Sequence, residues 1–267
     1  LLRQIHLPST IYKFVLTSTA ELEKIIDDPS LLLIDARSFQ EYSQGHIANA
    51  VNLDLFSFHW IDTSVDGISS FNEQFTKIFS NVGVSEEKKV VFYDNVSGML
   101  AARGVWLLEY FSHSDVSMLD GGIKKWKNEG LPLDRVPVSY KPANFSGKLN
   151  PKVLAGFEYV LDNLNKIIIL DVRSEKEFNG ELVRGARGGH IPTSTNIDYT
   201  ENISKDGTLK NNEDISKLYH MPKDAEIVTY CQGAYRAANT FLALKKIGFI
   251  NVKVYLGSWG EWGNKPE

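Results

Sequence analysis

The chain is nearly empty of cysteine, with one, Cys231, in 267 residues. A single thiol excludes an internal disulfide and a zinc site built from several cysteines. It also excludes a Cys-x-x-Cys redox pair, so thiol–disulfide exchange is not the expected chemistry. A reducing setting suits such a chain, and a cytoplasmic protein is expected. Long apolar runs are missing too. None approaches the roughly 20 residues of a membrane span, and "LLRQIHLPST" has no signal-peptide apolar core. Excess charge of one sign is also absent. The net charge of -4 argues against nucleic acid or a membrane surface as the main partner. His6, His59, His113 and His220 show no ligand spacing. No metal and no cofactor is therefore expected.

What is present is a repeat. "LLLIDARSFQEY" (Leu31 to Tyr42) aligns with "IIILDVRSEKEF" (Ile167 to Phe178). "GHIANAVNL" (Gly45 to Leu53) aligns with "GHIPTSTNI" (Gly189 to Ile197), and "VVFYD" (Val90 to Asp94) with "IVTYC" (Ile227 to Cys231). "LDGGIKKW" (Leu119 to Trp126) aligns with "YLGSWGEW" (Tyr255 to Trp262). Ordered matches at nearly one long offset mean two duplicated domains. We expect domains at 1–140 and 150–267, joined through 141–149 within the Pro-containing stretch Arg135 to Pro151.

Within each half, short apolar runs alternate with amphipathic stretches. "LLLID" and "IIILD" read as buried parallel strands. Ser18 with Glu21 reads as a capping box. "AANTFLALKKIGF" reads as a helix stopped by Lys245, Lys246 and Gly248. The expected class is α/β, each half a mostly parallel sheet flanked by helices.

Cys231 follows an apolar strand expected over Glu226 to Tyr230 and precedes a helix expected to begin near Arg236 or Ala237. Ligands of open parallel sheets bind beyond the carboxyl ends of strands. Small residues in "CQGAYR" allow a tight curl that aims amide N–H groups at one point. The helix dipole adds positive potential. This setting favours a thiolate, or an anionic sulfur carried on it. The first half has Asp94 at the matching place, which cannot serve as a sulfur nucleophile. The second half is therefore expected to be catalytic and the first an inactive partner forming one wall of the cleft.

The tandem copies, the D-x-R…G-H-I-P segment, the lone cysteine opening its loop and "GSWGEWGN" (Gly257 to Asn264) together resemble the two-domain rhodanese family. The resemblance covers essentially the whole chain. It implies a thiosulfate sulfurtransferase of the bacterial type, with a persulfide on Cys231 formed from a sulfane donor and passed to a thiophilic acceptor such as cyanide. Amides of Gln232, Gly233, Ala234, Tyr235 and Arg236 or Ala237 would cradle the persulfide. Small-molecule donor and acceptor are the expected partners, and the expected state is a monomer.

Four further residues are candidates for donor binding. Arg236 closes the loop, although its charge opposes the helix dipole. Arg184 and Arg187 lie in "LVRGARGGHIP", which the first half lacks, and Arg187 is preferred for pairing with the anionic donor. Trp259 is expected to line the pocket mouth, and Trp262 to pack. Asp35, Arg37, His46 and their counterparts Asp171, Arg173 and His190 occur in both halves, so they are expected to hold the fold.

Competing activities leave different marks. A rhodanese-like phosphatase needs Cys-x5-Arg to cradle phosphate, whereas here the arginine falls at Cys-x4-Arg. A 3-mercaptopyruvate sulfurtransferase of the same family shares the nucleophile but usually carries a neutral Gly-rich loop, unlike "CQGAYR". A persulfide carrier that delivers sulfur to a partner protein also remains open.

Overall fold

The structure is a computed structural model that describes residues 16–265. In the first half β1 (Leu16–Thr17), β2 (Leu31–Asp35), β3 (Val51–Asn52), β4 (Lys89–Tyr93) and β5 (Val116–Leu119) run β1-β5-β4-β2-β3 across one sheet. In the second, β6 (Leu154–Ala155), β7 (Ile168–Asp171), β8 (Thr195–Asn196), β9 (Ile227–Tyr230) and β10 (Val252–Tyr255) run β6-β10-β9-β7-β8. The two orders are the same, and every strand pairing is parallel. The repeated sequence is thus a repeated topology, with helices completing each α/β layer.

Local chemistry sets the element ends. Ser18 and Glu21 form the expected capping box, and Ser38–Glu41 and Ser174–Glu177 form two more. The helix Tyr235–Lys246 ends as its cationic tail and left-handed Gly248, φ 90°, dictate. It begins one residue before the expected start, and β9 begins one residue after its own.

The D-x-R pairs are buried in both halves. Arg37 grips Asp35 in a bidentate pair and donates to the Gly45 carbonyl at 2.9 Å. Arg173 grips Asp171 and donates to the Gly189 carbonyl at 2.7 Å. Each pair ties the strand end to the Gly-His turn. His46 stacks on Tyr42 and His190 on Phe178, each pair with ring centroids 3.8 Å apart. Each Nδ1 also lies within hydrogen-bond distance of a carbonyl of the preceding helix, Tyr42 and Phe178 respectively.

The halves meet through two helices. Met99–Tyr110 packs against Tyr235–Lys246. The first is buried almost all round, as a helix between two layers must be. One apolar cluster draws on both, joining Val105 and Leu108 to Phe241 and Leu244. The interface also satisfies polar groups. Asn239 Nδ2 donates to the Ser97 carbonyl at 2.8 Å, and Trp106 Nε1 to that of Val153 at 2.9 Å. The connecting segment is a strap rather than a loose tether. Phe145 packs between Phe79 and Phe111, and the Ala143 N–H bonds the Ser80 carbonyl at 2.8 Å. No helix among the described residues is long and apolar enough to cross a membrane.

Candidate active site

β9 ends at Tyr230, and Cys231 opens the turn into the helix Tyr235–Lys246. The thiol is 1% exposed. Ala234 sits in the left-handed region at φ 65° and caps the helix without a side-chain hydrogen bond. The first-turn N–H groups, which have no intrahelical acceptor, thus lack a side-chain one at their cap. Gly233 leaves room for a side chain of the first half. A Cβ there would stand 1.9 Å from Cε1 of His59, which reaches over the loop from the first half.

Ser258 shapes the turn from below. Its Oγ accepts the N–H of Cys231 at 3.2 Å and of Ala234 at 3.1 Å, and donates to the Tyr255 carbonyl at 2.8 Å. The Ala234 amide is therefore spent on Ser258, which corrects the expectation that it faces the sulfur. The next two residues continue the clasp: Trp259 and Gly260 donate their N–H groups to the carbonyls of Cys231 and Gln232 at 2.9 and 2.8 Å.

Trp259 is not at a pocket mouth. It is 2% exposed in the core of the second half, with the Arg173 guanidinium 4.6 Å from its ring centroid. Just after β10 the chain turns left-handed at Ser258, φ 52°, and the ring lies in the core. Trp262 packs on Phe157 with centroids 5.1 Å apart.

Arg236 is fixed by Glu177. Its Nη1 and Nη2 donate to the two carboxylate oxygens at 2.7 and 2.9 Å. Burial opposes charge on Arg236, but Glu177 and the neighbouring Cys231 outweigh it, so its proton affinity rises above the ordinary value. Burial likewise opposes charge on Glu177, yet Arg236 and Ser174 hold its carboxyl down at about 2. The other two arginines stand further out. Arg184 is exposed, with Nε 3.4 Å from Glu177, and its carbonyl accepts Gln232 Nε2 at 3.1 Å. Arg187 donates to the Trp262 carbonyl at 2.8 Å. The insertion thus braces the Cys231 loop through Gln232, and neither outer arginine has a bond to the thiol.

The first half displays what such a loop can hold. Asp94 is buried where the aligned chain has Cys231. One carboxylate oxygen accepts the N–H groups of Val96 and Gly98, at 3.2 and 3.1 Å. The other accepts those of Leu100 and Ala101, at 2.9 and 3.1 Å. Burial wins over these four bonds and lifts the carboxyl to about 6. The same strand-loop-helix turn is therefore an anion cradle built from amides. In the second half it reaches its helix one residue sooner, since Ala234 and Gly98 are the respective N-caps.

Four residues near the thiol escaped sequence reasoning: Arg103, His59, Tyr199 and Glu177. Arg103 comes from the interface helix of the first half and is an electrostatic neighbour of Cys231. Tyr199, whose hydroxyl burial pushes up, is another. Only Arg103 left a trace in the sequence, as a lone cation in the otherwise apolar start of "MLAARGVWLL".

A lone thiol at a parallel-sheet switch into a helix, set in a duplicated fold whose other copy holds a carboxylate, defines a class of sulfur-handling site. The Rhodanese-like domain model matches residues 18–129 and again 157–265. The chain is 34% identical to the sulfur carrier protein TtuD of Thermus thermophilus, over 94% of each chain. It is 33% identical to a thiosulfate sulfurtransferase of Azotobacter vinelandii, over 93% of each. The crystal structure of SseA from Escherichia coli, a 3-mercaptopyruvate sulfotransferase, superposes with a TM-score of 0.80 at 28% identity, over 92% of this chain and 99% of that one. The chain belongs to the rhodanese family.

Proposed function

We propose that the protein is a sulfurtransferase that moves sulfane sulfur from thiosulfate to a thiophilic acceptor through a persulfide on Cys231. The observation that carries this reading is the pair of loops. One cradles a permanent carboxylate, Asp94, on four amides, and the other offers the same kind of turn to the only thiol in the chain. The Cys231 thiolate attacks the outer sulfur of thiosulfate, a new S–S bond forms, and sulfite leaves with the electrons of the broken one. The terminal sulfur then carries the negative charge. First-turn amides of the helix, those of Tyr235, Arg236 and Ala237, stabilise it. The acceptor takes that sulfur and returns Cys231 to the thiolate. No general base is needed, because the thiolate itself is the nucleophile.

The first half, 1–140, is the inactive wall, the second, 150–267, is catalytic, and 141–149 lie between them. Arg236 serves as a fixed post of the loop, and Arg184 and Arg187 give the rim positive charge for an anionic donor. We place the protein in the cytoplasm, where its thiol stays reduced. We expect a monomer, since each half already buries its helix face on the other.

Two relatives favour other readings of the same thiol. SseA points to 3-mercaptopyruvate as donor, and TtuD to delivery of sulfur to another protein. The deciding experiment compares thiosulfate with 3-mercaptopyruvate in sulfur transfer to cyanide. Preference for thiosulfate supports the proposal. Preference for 3-mercaptopyruvate replaces the donor, and loading without turnover replaces the enzyme by a carrier.

A further inference from the structure

Arg103 is a fully buried cation with nothing to neutralise it. It is 1% exposed, and neither Nη1 nor Nη2 has a hydrogen-bond partner. Its guanidinium lies between two rings, 4.7 Å from the centroid of Trp106 and 5.2 Å from that of Tyr235. Ring faces attract a cation but do not replace the hydrogen bonds it has lost. Burial lowers Arg103 to about 10, so it stays charged at neutral pH. A buried charge left in this condition is strongly unfavourable unless function supplies a counter-ion.

The charges around Cys231 show which ion that is. Arg236, from the helix Tyr235–Lys246, is spent on Glu177, from the helix Glu175–Phe178. Arg236 also lies against the Cys231 side chain, and Arg184 stands 3.4 Å from the same carboxylate, so Glu177 offsets two arginines on this wall of the pocket. Tyr235 and Tyr199 are phenols that burial keeps protonated. Burial, with Arg103 adding to it, lowers the proton affinity of His59, above the loop. Of the cations near the loop, Arg103 is the one whose guanidinium nitrogens Nη1 and Nη2 have no hydrogen-bond partner, and Cys231 in the other half is among its electrostatic neighbours.

We infer that Arg103 is a counter-ion of the sulfur anion on Cys231, beside the Glu177-bound Arg236, so that the site is completed by a cation from the half without a nucleophile. This rests on the persulfide reading above. In the transfer step the reacting ensemble carries the thiolate charge and two charges of thiosulfate. Sulfite removes two of them, and the one that stays, on the terminal sulfur, is the one Arg103 faces. The cation is preorganised. The rings of Trp106 and Tyr235 lie against it, 4.7 and 5.2 Å away, and the loss of its bonds has been met in folding rather than during the reaction.

The test uses the full chain with Arg103→Met, Arg103→Gln and Arg103→Lys. Two readouts are taken: the rate of sulfur uptake by Cys231 from thiosulfate, and the pH profile of Cys231 alkylation by iodoacetamide. The two neutral variants should load sulfur at least roughly tenfold more slowly at neutral pH, and their alkylation profiles should move up by about one pH unit. Arg103→Lys should lie closer to wild type in both, although it loses planar stacking. Melting temperatures of the neutral variants should not fall, because an uncompensated buried charge is removed. Neutral variants that load and alkylate like wild type overturn the proposal. So does a Lys variant as slow as Met, with all three melting lower, which is the mark of a packing role. Failure of the wild type itself to take up sulfur sinks the persulfide reading instead, a result the Arg103 comparison cannot produce.

Discussion

Glu177 does two things with one carboxylate. It closes the capping box with Ser174 and holds Arg236 beside the thiol. Its carboxyl is depressed from 4.5 to about 2. A depressed acid stabilises the folded protein above its ordinary pKa, and that contribution is lost as pH falls through the lower value. Glu177→Gln should therefore cost roughly 2 kcal/mol at neutral pH, the scale of a hydrogen bond to a charged group. The gap to wild type should close as pH falls from 4.5 towards about 2. Chemical denaturation across that range checks it, and a gap independent of pH would contradict the pairing. At this scale the sequence marked Cys231 and Arg236 in one loop, and marked Arg103 only as a lone cation in an apolar run. A lone thiol stands out in a list of residues. Glu177 and Arg103 act through space, and no spacing along the chain marks their approach.

The loop between strand and helix is the element that separates the two halves. With Asp94 it is closed on its own carboxylate, and with Cys231 it encloses a buried thiol whose helix has no side-chain cap. Asp94 is raised from 3.8 to about 6. The folded state therefore binds its proton more readily than the unfolded one. Stability is fuller below 3.8 and is lost as pH rises to about 6. Asp94→Asn should flatten the fall in melting temperature over that window, and an unchanged slope would contradict the burial argument. Element types and order were legible, because buried strands and capped helices have periods and end signals that survive in one dimension. Trp259 was misplaced for a reason of the same scale. Its position after the last strand suggested a rim, but beyond the left-handed turn at Ser258 its ring is buried in the core. That turn depends on Oγ of Ser258 finding two amides from a loop far away in sequence.

Across the whole molecule, duplication gives one strand order twice. The sequence displayed the repeat directly, since aligned motifs need no knowledge of contacts. It did not display that the halves share a core across the helices Met99–Tyr110 and Tyr235–Lys246, that His59 crosses to the loop at Gly233, or that Arg103 is an electrostatic neighbour of Cys231. Those features follow from which helix faces are apolar on all sides and where that burial carries their few polar residues. The account stands on one covalent event in the intact chain. Its most direct measurement is the intact mass of the reduced protein after incubation with thiosulfate, beside a folded Cys231→Ala variant. The prediction is one added sulfur on the wild type, removed by cyanide, and none on the variant. An unmodified wild type, or a variant that gains the same sulfur, would contradict it.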